Sequence, residues 1–219
     1  MILNNFKKPF SLNIKLNLLQ LLVSNIHLGH TRKFSNSQIK PFLLGQRHNI
    51  YILNVNYTLH QFKLLSTFLI NIISFREKLL IVKDRDVCQL RNSIKIKNVF
   101  YFDKKWIGGL LTNFKKIRNS RKFKEEQISF NTLAIMRYLP ACVFLFDVNL
   151  SHWALKESTN LEIPIAAIVD TDIKYLKNIN YPIVGNNKSF ESVFLYSSVL
   201  KNSIIKGRQK ELIKILRIV

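Results

Sequence analysis

The sequence has 219 residues and a formal net charge of +21, from 34 Lys and Arg against 13 Asp and Glu. Its hydrophobic content of 47%, with 16 Phe, excludes a disordered chain and predicts one domain with a buried core. So large an excess of positive charge favours a polyanionic partner, with nucleic acid first and an anionic membrane surface second.

The N-terminal third is basic or neutral throughout, since no Asp or Glu precedes Glu77. Leucines three and four residues apart predict an amphipathic helix over residues 12–26. The motif His27-Leu-Gly-His30 is expected to end that helix, with its glycine as the C-terminal cap. An irregular basic loop is expected at residues 31–45.

The rest of the chain alternates between short apolar runs and helical periodicity. Strands are predicted at residues 50–54, 78–82, 97–102, 142–147, 163–170 and 181–184. Helices are predicted at residues 57–74, 84–91, 128–138, 151–161 and 190–218, with a break at Gly207 left open. Such alternation is typical of an α/β fold with a parallel sheet and right-handed crossovers. The functional crevice of such a sheet lies beyond the carboxyl ends of its strands.

Residues 100–118 form the most informative stretch, because an aromatic strand, a tryptophan, a glycine pair and a basic helix follow one another. Trp106 offers a flat stacking surface. Gly108 and Gly109 allow a phosphate or another backbone to approach closely, so phosphate contact and tight packing both stay open.

Other chemistry has weaker support. Asp147 and Asp170 are candidates for acid–base or Mg²⁺ chemistry, but acids at strand ends also cap the helices that follow. His27 and His30 lack a third ligand nearby, so polar contacts to RNA or backbone are favoured over a metal site. The two cysteines, at positions 88 and 142, have no Cys-x-x-Cys spacing and are expected to be core residues in reducing surroundings.

Several motifs resemble, in order, the bacterial-type small-subunit ribosomal protein S2 family. The matching segments are His27-Leu-Gly-His30 with its basic continuation to Pro41, residues 45–53, Lys105-Trp-Ile-Gly-Gly-Leu-Leu-Thr-Asn113, and residues 139–147, 154–157, 163–171 and 181–186. The resemblance implies a flavodoxin-like parallel sheet flanked by helices. It also implies a structural, non-catalytic role in contact with small-subunit rRNA and other small-subunit ribosomal proteins.

The resemblance and the charge together assign one set of residues to RNA. These residues are Arg32, Lys33, Asn36, Lys40, Arg47, Lys104, Lys105, Trp106, Asn113, Lys115, Lys116 and Arg118. The lysines and arginines are expected to neutralise phosphates, while Trp106 packs or stacks at the interface.

The chain also departs from the family. A long helical hairpin normally follows the Trp-x-Gly-Gly segment, whereas only residues 115–138 are available here, so we predict a shortened helical insertion. It would divide an α/β domain of residues 27–114 and 139–219, preceded by an N-terminal extension and helix at 1–26. This trimming, with a composition typical of an AT-rich genome, predicts a ribosomal protein of the mitochondrial matrix.

Two other functions stay open on the sequence alone. One is a nucleotide-binding enzyme on a Rossmann-like sheet, although neither G-x-G-x-x-G nor G-x-x-x-x-G-K-[ST] occurs. The other is a basic membrane-surface protein, although the apolar run at residues 64–75 is too short to span a bilayer. We predict no enzymatic activity, cofactor, metal, membrane partner or small-molecule substrate.

Overall fold

A computed structural model of the chain describes residues 16–83, 98–119 and 135–216, and the side chains of all of these except 118 and 119. The helices are α1 (Leu18–Val23), α2 (Val55–Ser74), α3 (Phe114–Asn119), α4 (His152–Asn160) and α5 (Phe190–Leu216). The strands are β1 (Leu28–Thr31), β2 (Leu43–Arg47), β3 (Ile50–Leu53), β4 (Leu79–Val82), β5 (Val99–Phe102), β6 (Cys142–Leu145), β7 (Ile165–Val169) and β8 (Tyr181–Val184). The helix predicted at 84–91, Cys88 and most of the predicted insertion lie outside the described residues.

Five strands form a parallel sheet in the order β5-β4-β6-β7-β8. Counted along the chain from β4, this is the order 2-1-3-4-5 of flavodoxin-like folds, which confirms the predicted fold class. Every residue of β4, β6 and β7 is buried. Helices cover both faces of the sheet, which explains why these strands appear in the sequence as continuous apolar runs.

The two faces of the sheet carry separate apolar clusters. In β4, Leu79 and Ile81 pack with α1, α2 and α5, whereas Leu80 and Val82 pack with α4 and residues 106–114. Helix α5 runs without a break through Gly207, where a Cβ atom would lie 2.7 Å from the Cβ of Ile73 on α2. The glycine therefore serves close helix packing.

Three other strands form a separate antiparallel sheet in the order β1-β3-β2. The strand predicted at residues 50–54 belongs to this sheet, not to the parallel one. The prediction that His27-Leu-Gly-His30 ends a helix is wrong, because α1 ends at Val23 and the motif supplies strand β1. The predicted basic loop likewise contains two 3-10 turns, Arg32–Phe34 and Ser37–Phe42, and the start of β2.

Cys142 lies in β6 and is fully buried, which confirms its prediction as a core residue. Burial raises the pKa of its thiol to about 12, so the side chain stays protonated and unreactive. Within the part of the chain that the structure describes, no helix is long and apolar enough to cross a membrane.

Candidate functional site

The segment that follows β5 is organised by one buried carboxylate, that of Glu157 on α4. Its Oε1 accepts hydrogen bonds from the indole Nε1 of Trp106 at 3.0 Å and from the backbone N–H of Gly109 at 2.7 Å. Its Oε2 accepts from the N–H groups of Leu111 at 2.7 Å and Thr112 at 3.1 Å. Only 5% of Glu157 is exposed. Four donors thus satisfy a charge that would otherwise be costly to bury.

Trp106 packs inward from this segment. Only 4% of it is exposed, and its ring meets Phe102 edge-on at a centroid distance of 4.9 Å. Of the two roles open for Trp106, packing is therefore the one that the structure shows. Its indole has no free face for a nucleotide base, because the hydrogen bond to Glu157 and the apolar cluster hold it in the core.

The two glycines of the segment have different roles. Gly109 has a φ of +94°, a backbone conformation that side chains oppose, and it turns its N–H toward Glu157. Gly108 has no such conformation, and a Cβ atom there would make an ordinary 3.7 Å contact with Trp153 on α4. Gly109 thus shapes a turn that the Glu157 carboxylate holds. Close packing, one of the two roles left open by the sequence, does not require either glycine.

Because the two glycines differ in backbone conformation, replacing each with alanine should change the free energy of unfolding by different amounts. Gly109→Ala is expected to lower the free energy of unfolding by about 1–2 kcal/mol, because φ is unfavourable and the new Cβ would lie 3.0 Å from Nδ2 of Asn113. Gly108→Ala is the matched control and is expected to change it by less than about 0.5 kcal/mol. Urea titrations of both variants measure the difference; equal destabilisation would contradict this assignment.

The turn presents exposed polar and basic side chains to solvent. Lys105, Asn113, Lys115 and Lys116 are exposed, and Lys104 is half-buried. Helix α3, which carries the two later lysines, starts at Phe114, whose ring is buried in the same apolar cluster as Trp106. The basic residues are therefore anchored by the apolar residues between them.

A second basic segment, residues 32–40, is anchored beside the carboxyl end of β7. The backbone N–H of Asn36 donates to the carbonyl oxygen of Thr171 at 2.8 Å, and Ile39 is fully buried in the cluster that also holds Trp106. The side chain of Asn36 accepts from the N–H of Gln38, so it caps the second 3-10 turn. The cations of this segment remain exposed; they are Arg32, Lys33 and Lys40.

Both basic segments lie at the same edge of the parallel sheet. Lys104 and Lys105 follow the carboxyl end of β5, and the contact at Thr171 follows the carboxyl end of β7. Three strand spacings separate β5 from β7, or about 14 Å. Arg47 is exposed at the tip of the β2–β3 hairpin, where His48 and Asn49 adopt left-handed backbone conformations. The side chain of Arg118 lies outside the described part.

The acids at the strand ends have structural roles. Asp147 accepts hydrogen bonds from the N–H groups of Asn149 and Leu150 in the turn before α4. The prediction that it caps the following helix is wrong, because the N-cap residue of α4 is Ser151. Asp170 is 2% exposed and accepts from the N–H groups of Thr171 and Asn187. Among the described residues, no group of three or more His, Cys, Asp or Glu is arranged to hold a metal ion.

His30 joins strand β1 to the end of β7. Its Nδ1 lies 3.1 Å from both Oδ1 of Asp170 and Oγ1 of Thr171, and its backbone N–H donates to the same Thr171 hydroxyl at 2.7 Å. His30 thus makes polar contacts inside the protein, with the side chains of Asp170 and Thr171. The contact of His27 and His30 with RNA stays a prediction. The His-x-Gly-His motif fixes the antiparallel sheet against the parallel one.

This contact predicts a pH dependence of stability. The hydrogen bond to Asp170 raises the pKa of His30 above its ordinary value of 6.5, against the lowering effect of partial burial; Asp170 and Asp172 also attract the charged form, and Lys188 opposes it. The stabilisation is complete below the unfolded-state pKa and is lost as the pH rises through the folded-state pKa. We therefore expect the free energy of unfolding to fall as the pH rises from about 6 through the raised pKa of His30.

The variant His30→Asn keeps a polar group but cannot be protonated, so this part of the pH dependence should disappear. Urea titrations of wild type and variant across that range measure the difference. Because the four other histidines are common to both proteins, the comparison isolates His30. Parallel profiles would show that the contact with Asp170 does not favour the protonated imidazole.

Sequence comparison relates this arrangement to known proteins. The ribosomal protein S2 family matches residues 21–133 and 118–207, which together span most of the chain. The chain belongs to the ribosomal protein S2 family. The small ribosomal subunit protein uS2 of Shewanella baltica is 30% identical over 222 residues, covering 88% of this chain and 91% of that protein. The uS2 proteins of Shewanella piezotolerans and Pseudoalteromonas atlantica are each 28% identical, with the same coverage.

Membership of the S2 family confirms the resemblance found in the motifs. S2 proteins are structural ribosomal proteins and not enzymes, which confirms the prediction that this chain is not an enzyme. The structure adds a connection between two of those motifs. Glu157, which sequence reasoning included only as part of residues 154–157, holds Trp106 and Gly109 of the Lys105–Asn113 motif.

Proposed function

We propose that this protein is a structural constituent of the mitochondrial small ribosomal subunit, where it binds small-subunit rRNA and neighbouring ribosomal proteins. The observation that carries the proposal is the pair of exposed basic segments, each anchored separately at the carboxyl edge of the parallel sheet. A polyanion that covers this edge would neutralise charges that otherwise repel one another.

The chemistry of this edge suits phosphates. Glu157 and Asp170, which lie where the two basic segments are anchored, are buried and accept hydrogen bonds from N–H donors. Most of the lysines and arginines in the described part of these segments are exposed, and their side chains are the donors that most often contact the RNA backbone. The residues proposed to neutralise phosphates are Arg32, Lys33, Lys40, Arg47, Lys104, Lys105, Lys115, Lys116 and Arg118.

Three of the predicted RNA-binding residues carry no charge and have roles other than neutralising phosphates: Asn36, Asn113 and Trp106. Asn36 caps the turn that carries Lys40, and Trp106 fixes the turn that carries Lys105, so both position cations instead of contacting phosphate directly. Asn113 is exposed and offers its amide to the RNA backbone. The interface would therefore be preorganised by buried contacts, which lowers the ordering cost of binding.

The mitochondrial assignment rests on the sequence. Asn, Ile, Lys and Phe are abundant, as expected from an AT-rich organellar genome, and only residues 115–138 are available for the family's long hairpin. The relatives named above are bacterial proteins.

Salt dependence of RNA binding tests the proposal. Each phosphate contact releases counterions, so a plot of log affinity for a small-subunit rRNA fragment against log salt should have a steep negative slope. The variant Lys105→Gln/Lys115→Gln/Lys116→Gln should weaken binding and reduce that slope by about 1 for each phosphate that is no longer neutralised. Lys63→Gln, on the exposed side of α2, is the control and should leave the slope unchanged. Equal slopes for the triple variant and wild type would overturn the proposed contacts.

A further inference from the structure

The second tryptophan of the chain, Trp153, lies beside the turn that Trp106 anchors. It occupies α4 one helical turn before Glu157, and its ring atom Cε3 is 3.7 Å from the position that a Cβ atom would take at Gly108. The indole therefore packs against the backbone of the basic segment. Yet 48% of Trp153 remains exposed, while only 4% of Trp106 does.

The surroundings of Trp153 are cationic and partly apolar. The ammonium group of Lys156 lies 5.1 Å from the centroid of its ring, a cation–π contact, and the ring of His152, the preceding residue, lies 5.1 Å away. Ile107, in the turn next to Gly108, is also exposed. A half-exposed aromatic ring beside cations is the combination that proteins use to hold unpaired nucleotides.

We propose that Trp153 stacks on an unpaired base of the bound RNA, next to the phosphates held by the basic segment. This inference rests on the proposed function and names the single-stranded element that the site would take. A regular RNA duplex offers no free base face to the indole, because its bases are stacked on one another. An apolar surface of a neighbouring protein is the competing occupant, and Lys156 over the ring makes it the less favoured one.

The test uses the full chain, with a short single-stranded RNA of mixed sequence and a blunt duplex of equal length. The chain has two tryptophans and one of them is buried, so a change of emission on RNA binding reports on Trp153. The single strand is expected to quench this emission and to shield it from acrylamide. The duplex should do neither.

Two variants separate stacking from packing. Trp153→Leu keeps an apolar side chain against Gly108 and should bind the single strand about 5- to 150-fold more weakly. Its salt slope should stay that of wild type, because every phosphate remains neutralised. Trp153→Phe keeps an aromatic ring and should retain most of the affinity. Unchanged thermal unfolding midpoints show that both variants are folded.

The results that would overturn base stacking by Trp153 can be told apart from those that would overturn RNA binding itself. If wild type binds RNA with a steep salt slope and Trp153→Leu binds equally well, stacking fails and the proposed function stands. If wild type binds neither RNA, both fail. If Trp153→Leu binds RNA normally but enters small-subunit particles poorly, Trp153 contacts a neighbouring protein instead of a base.

Discussion

Replacing Glu157 with Gln is expected to lower the free energy of unfolding by about 3 kcal/mol. The glutamine oxygen can still accept from one pair of donors, but its amide nitrogen would face the other pair. Two N–H groups of the turn, such as the buried one of Leu111 and the partly buried one of Thr112, would then lose their acceptor. Urea titration followed by far-ultraviolet circular dichroism measures the loss.

The same variant should also loosen the basic turn. With the turn held less tightly, water should reach the indole of Trp106, so its emission should shift to longer wavelength even in the folded protein. Glu162→Gln is the matched control, since Glu162 is exposed just beyond α4, and its effect should stay within about 0.5 kcal/mol. Similar stabilities for the two variants would mean that Glu157 does not organise the turn.

Gly29→Ala is expected to destabilise the protein by about 2–3 kcal/mol, because β1 passes too close to the end of β7 for a side chain. The new Cβ would lie 2.5 Å from Cγ2 of Thr171, 3.2 Å from its Oγ1 and 3.3 Å from the carbonyl oxygen of Tyr51. Relief of this overlap would disturb the bond from the His30 N–H to the Thr171 hydroxyl. Chemical denaturation measures the change in stability.

Two further variants make this prediction specific. Thr171→Ser removes the overlapping methyl group and keeps the hydroxyl, so the cost of Gly29→Ala should fall by about 1 kcal/mol in that background. Gly45→Ala is the control, because nothing lies within 4 Å of its Cβ position and its effect should be close to zero. Additive effects of the first two substitutions would contradict a close approach at Thr171.

The parallel sheet was predictable because its strands are buried on both faces. Continuous apolar runs such as residues 79–82 and 142–145 have few alternatives, and their bounds were predicted to within two residues at either end. The antiparallel sheet was harder to predict. Strand β1 has only four residues, and the glycine in His27-Leu-Gly-His30 suggested a helix end, whereas that glycine is needed for contact with Thr171.

The sequence also did not predict which of the two tryptophans is buried and which is exposed. A tryptophan between lysines and glycines suggested an exposed stacking surface. Its burial depends on Glu157, which lies 51 residues further along the chain. Trp153 lies at a predicted helix start, and its sequence context did not suggest a stacking surface. In the structure, however, it is the exposed tryptophan of the two. Only the packing of α4 against residues 106–114 brings these residues together.

Sedimentation tests whether this S2-family protein is part of a mitochondrial small ribosomal subunit, as we propose. A lysate of mitochondria from the source organism, separated on a sucrose gradient at low salt, should show the protein in the fractions that contain small-subunit rRNA. High salt should release it toward the top, because phosphate contacts are screened. A protein that stays at the top of the gradient at low salt, apart from the rRNA, would show that it is not part of the small subunit.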